Sequence, residues 1–115
     1  MPPPAVPETD LAHIRRWCDN AVPSRVADTI RVEFHRRGRS VTLCESRAPW
    51  NPPATEWSHV PMAQLRYRPE RGDWSLHWVD RNGRWHPYAD GNRQFGSIVE
   101  LLAEVDDDPT AIFMG

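Results

Sequence analysis

The chain has 115 residues, 39% of them hydrophobic and 26% charged, which is room for one domain with one modest core and no more. All fourteen basic residues are arginine, so a Schiff-base lysine and a Walker-type phosphate lysine are excluded. The net charge of −2 hides an asymmetry, since residues 1–95 carry +3 and residues 96–115 carry −5, and a uniformly basic nucleic-acid footprint is thereby excluded too.

Residues 1–9 read as a stiff, proline-rich arm, disordered at its tip, with no basic or apolar region of a secretory signal. A single α+β domain is expected over 10–115. Its first helix starts near Asp10 as N-cap, with Leu11, Ile14, Trp17, Cys18 and Ala21 at helical spacing, and Pro23 stops it. Ile30, Val32 and Phe34 alternate with polar residues in a first strand. Arg36–Arg39 turns the chain at Gly38, and Val41 and Leu43 form a second strand. The stretch from Arg47 to Trp57 contains Pro49, Pro52 and Pro53 and reads as a loop bearing Trp50 and Trp57. Ala63, Leu65 and Tyr67 mark a third strand, Trp74, Leu76 and Trp78 a fourth, and Arg84 to Tyr88 a fifth.

The last two strands meet at Asp80-Arg-Asn-Gly-Arg84, which fits two turns. A two-residue Asn82-Gly83 turn puts Trp74, Leu76, Trp78, Trp85 and Pro87 on one face and Ser75, His77, Val79, Arg84, His86 and Tyr88 on the other. A type I turn with a bulge, using Asp80 and Gly83, mixes His86 with the tryptophans. A one-residue slip exchanges faces, and only the first option gives a clean apolar face, so it is the expected one. After a loop at Asp90–Gln94, Ser97 and Glu100 form a capping box for a helix with Ile98, Leu101, Leu102 and Val105 on one stripe. Ala111–Met114 is apolar enough to dock on the core. The expected fold is therefore a five-stranded antiparallel sheet between an N-terminal and a C-terminal helix, with both helices on one face.

Two readings of function come from different classes. The first is a non-enzymatic binding module that uses Arg47, Trp50, Trp57, Arg66, Arg68, Arg81 and Arg84 to bind a protein or a nucleic acid, since Trp and Arg are enriched where interfaces concentrate their energy. Arg31, His77, His86 and Tyr88 are expected to share that polar sheet face. The second is a small hydrolase, phosphodiesterase-like, with Glu33, Glu45, His77, Asp80 and His86 as acid–base groups. No metal-ligand spacing occurs among His59, His77, His86, Asp80, Cys18 and Cys44, so neither metal nor cofactor is expected. No apolar run approaches the roughly 20 residues that span a bilayer. Two cysteines without an export signal suggest reduced thiols and a cytoplasmic location. Asp106, Asp107 and Asp108 at a helix C-terminus oppose the macrodipole; fraying of the helix end is the expected reason, with an arginine partner from the sheet or a protein partner as the alternatives.

Three stretches carry a resemblance: Glu45-Ser-Arg-Ala-Pro-Trp50, Trp74-Ser-Leu-His-Trp-Val-Asp-Arg-Asn-Gly-Arg-Trp-His-Pro-Tyr88 and Asp108-Pro-Thr-Ala-Ile-Phe-Met-Gly115. Together they resemble a bacterial family, Domain of Unknown Function 3024, over nearly the whole chain from Leu11. The middle stretch is the specific one. The resemblance implies a compact single-domain protein and brings no activity, cofactor or site residue with it.

Overall fold

A computed structural model describes residues 6–49, 56–88, 93–108 and 113. The chain order is α1 (Glu8–Asn20), a 3-10 turn (Ser24–Val26), β1 (Ile30–Arg37), β2 (Ser40–Arg47), β3 (Ser58–Arg68), β4 (Asp73–Val79), β5 (Trp85–Pro87), β6 (Phe95–Gly96) and α2 (Ile98–Asp107). The strands form one antiparallel sheet in the order β1-β2-β3-β4-β5, with the two-residue β6 added beside β4. This is the expected α+β architecture.

Alternation sorts the sheet into two faces. Val41, Leu43, Ala63, Leu65, Trp74 and Leu76 point to one side and are fully buried there. Ile14 and Cys18 of α1 and Ile98, Leu101, Leu102 and Val105 of α2 join the same cluster, so both helices cover this face. Each fully buried Leu or Val stabilises the fold by about 1.5–3 kcal/mol relative to exposure. A buried indole or phenol also needs a polar partner, and three acidic residues of the helices supply them. Trp74 Nε1 donates to Asp10 at 2.8 Å, Trp17 Nε1 to Asp106 at 3.0 Å, and the Tyr88 hydroxyl to Glu104 at 2.8 Å.

The first of these bonds explains one of two departures from the sequence reading. Asp10 is not the N-cap: α1 begins at Glu8 behind Pro7, and Asp10 lies in the first turn, where its carboxylate suits the helix dipole and receives the indole of Trp74. Val6, assigned above to the arm, is buried in the core. The acidic end of α2 also has its account. Asp106 holds Trp17, and Asp108 closes the helix in the left-handed conformation (φ 43°) while its carboxylate accepts the N–H of Phe113, which packs on Tyr88. Residues 1–5, and the rest of the apolar C-terminal stretch, lie outside the described residues.

The β4–β5 hairpin corrects the expected register. The pairs are His77 with Pro87, Trp78 with His86 and Val79 with Trp85. Gly83 (φ 80°) donates its N–H to the Asp80 carbonyl, and Asp80 donates to Arg84 O, so a type I turn followed by a glycine bulge links the strands. The Asp80 carboxylate decides between the turns, because its Oδ1 accepts the N–H groups of both Asn82 and Arg84. His86 and Tyr88 therefore join the apolar side, where His86 stacks on Trp78 and Tyr88 is fully buried. Trp85 and Pro87 move to the polar side. In β3, Pro61 is tolerated because the register against β2 shifts between Leu43 and Cys44, leaving Met62 as the extra residue.

Candidate nucleic-acid interface

The polar sheet face is built in transverse rows by the strand register. Arg37 lies opposite Ser40, Ser40 opposite Arg66, Arg66 opposite Ser75, and Ser75 opposite Phe95, so these five residues form one row across β1, β2, β3, β4 and β6. Four strand spacings make the row about 19 Å wide. The next row is His35, Thr42, Gln64, His77 and Pro87. Two hydrogen bonds knit the rows together, Arg66 Nε donating to Gln64 Oε1 at 2.7 Å and Ser75 Oγ lying 2.8 Å from His77 Nε2, while Gln64 donates to Thr42 Oγ1 at 3.0 Å within the second row.

This end of the sheet is rich in positive charge. The β1–β2 and β3–β4 turns lie at the same end of an antiparallel meander, and they bring Arg37, Arg39, Arg66, Arg68 and Arg71 together, with Glu70 and Asp73 as the acids of the same two segments; Arg36, opposite the buried Val41, belongs to the other face. Gly38 (φ 61°) is the first of the two residues between Arg37 and Ser40, as a type II′ turn requires. Asp73 is already committed: Arg68 grips it through Nε and Nη2 at 2.7 and 2.8 Å. That grip lowers the Asp73 pKa and raises that of Arg68. The Arg68 guanidinium also lies 3.9 Å above the ring of Phe95, which is 43% exposed.

His77 is 7% exposed. Burial first, and the charge of Arg66 second, hold its pKa down at about 4, so it stays neutral at physiological pH. At the opposite end of the face, Arg31 lies 4.2 Å over the ring of Trp57 and donates to Ala27 O, and Ser46 Oγ is 2.7 Å from His59 Nδ1. Glu33 and Glu56 flank Trp57 and His59 there, which makes that end less basic.

The residues proposed for binding thus divide. Arg66, Arg68 and Trp57 are on the polar face. Arg47 is on the other face, tied to Glu45 at 2.7 Å, and Arg81 and Arg84 are at the exposed tip of the β4–β5 hairpin. Trp50 lies outside the described residues. The sequence places Arg37 only in a turn and assigns Phe95 to no element. Alternating polar residues up to Arg37 were the available signal for the first; nothing local marks the two-residue β6.

The five acid–base candidates do not converge. Glu33 and Glu45 point to opposite faces, because Glu33 pairs with Cys44 and Glu45 with Val32. His77 is three strands from Glu33, about 14 Å away. Asp80 and His86 do meet, at 2.7 Å, and that bond, with the N–H groups of Arg84 and Asn82, draws the Asp80 pKa down to about 2. This pair belongs to the hairpin turn. Cys18 and Cys44 are buried free thiols. Burial, backed by the charges of Asp19 and Glu33, pushes Cys18 up to about 12 and burial raises Cys44, so neither is a ready nucleophile. Among the described residues no three His, Cys, Asp or Glu side chains gather to hold a metal, and no helix is long and apolar enough to cross a membrane.

No curated protein and no solved structure matches the chain. A family model described as Domain of unknown function (DUF3024) matches residues 1–115, and the chain belongs to that family.

Proposed function

We propose that this protein is a nucleic-acid-binding module, and that the arginine-rich end of its polar sheet face is the contact surface. One observation carries the reading: five arginines, Arg37, Arg39, Arg66, Arg68 and Arg71, gather at that end with two carboxylates, one of which is already neutralised by Arg68. Both helices bury their apolar residues on the other face. Phosphates suit such a surface because guanidinium groups donate to them in pairs and the hydroxyls of Ser40 and Thr42 add neutral donors. The negative charge of residues 96–115 does not oppose this, because Asp106 and Asp108 are occupied within the helix layer.

The test is fluorescence anisotropy with a labelled 12-nucleotide RNA over a salt series. Four cations without a carboxylate partner among the described residues, Arg37, Arg39, Arg66 and Arg71, give an expected slope of log K against log salt of about −3 on a single strand. Arg37→Ala with Arg66→Ala should flatten that slope by about 1.4 and leave thermal unfolding unchanged, since both side chains are exposed. Absence of binding at low salt, or an unaltered slope in the double variant, refutes the reading.

A further inference from the structure

We infer that Phe95 is a base-stacking platform, so that the ligand class of this face is single-stranded nucleic acid with at least one unpaired base. The inference rests on the nucleic-acid reading above and names the substrate it implies. Phe95 is an aromatic side chain on a two-residue strand, 43% exposed, at the end of the row that begins with Arg37. Apolar rings at such a position are normally folded inward. A guanidinium covers one face of this one: Arg68 reaches across β4, fixed to both oxygens of Asp73, and lies 3.9 Å from the ring centroid.

One ring face therefore rests on a cation whose position is set by two charge-assisted bonds, and the ring needs no rearrangement to receive a flat partner. The base stacked there has its backbone running over the buried Ser75 toward Arg66, Ser40 and Arg37, which donate to phosphate along the row. A duplex cannot use this arrangement, because its bases are stacked on one another and its backbones shield their edges. A stacked base also does not depend on sequence, since every base has a π-face.

The experiment compares three probes on the full chain: a single-stranded 12-nucleotide RNA carrying 2-aminopurine, a 12-base-pair duplex, and inorganic polyphosphate, which has the charge and no bases. The single strand should bind best, with 2-aminopurine fluorescence quenched on binding. Phe95→Ala should weaken the single strand about tenfold and leave polyphosphate unchanged, while Phe95→Trp, which keeps a platform, should retain binding. Circular dichroism of each variant confirms the fold. If Phe95→Ala weakens neither probe, or weakens both equally, the stacking inference is overturned while the charge-based reading stands. If none of the three probes binds the wild type, both fall.

Discussion

Acidification should destabilise this protein through His77, and the sign follows from its surroundings. The imidazole is buried on the polar face, bonded to Ser75 and facing Arg66 from the neighbouring strand, which depresses its pKa from the ordinary 6.5 to about 4. Above pH 6.5 both folded and unfolded forms are neutral and nothing is lost. As pH falls toward 4, the unfolded chain takes up a proton that the folded chain refuses, so stability declines across that window. Between pH 7 and pH 4.5 the loss from this residue is about 2 kcal/mol. Urea unfolding at the two pH values measures it, as a fall in the midpoint of roughly 1–2 M. The comparison that isolates His77 is His77→Gln, which cannot titrate. Its stability should vary less over the same interval by that amount. An identical pH dependence in wild type and variant would refute the argument, and so would an NMR titration that places His77 near 6.5.

Two further substitutions test the helix layer and the hairpin. Asp106→Ala should cost about 1 kcal/mol in chemical unfolding by orphaning the Trp17 indole, whereas Asp106→Asn should fall within about 0.5 kcal/mol of wild type, because it keeps an acceptor and removes a negative charge from a helix C-terminus. Gly83→Ala should lower stability by roughly 1–2 kcal/mol for backbone reasons alone, since a β-carbon there has φ 80° to contend with and no atom within 4 Å to strike.

Much of the fold is legible in the sequence because its signals are local. The Ser97 and Glu100 pair forms a true capping box, and the 98, 101, 102, 105 stripe is the buried side of α2. Trp74, Leu76, Leu43 and Leu65 lie on the face their alternation predicts. What misleads is a choice between near-equivalent alternatives. Asn82-Gly83 suits a two-residue turn, but Asp80 offers its carboxylate to two backbone N–H groups and so favours the bulged one. That one-residue difference moves Tyr88 into the core and Trp85 out of it. Asp10 is attractive as a cap until the indole of Trp74, sixty-four residues away, claims it.

The proposed contact surface was only partly legible for the same reason. Arg66 and Arg68 are marked by strand alternation, yet their partners come from elsewhere. Arg37 joins them only through the β1–β2–β3 register, and Phe95 only through a two-residue strand with no periodicity to reveal it. The acid–base residues made a plausible list because a sequence does not say which side of a sheet each member faces; Glu33 and Glu45, two strands' worth of the same pattern, face apart.

The most direct measurement is an amide-resolved NMR titration of the chain with the 12-nucleotide single-stranded RNA. Our account predicts that the largest shifts fall on Arg37, Ser40, Arg66, Ser75 and Phe95, in one band across the sheet. Shifts centred on α1 and α2, or none at all at saturating RNA, would contradict it.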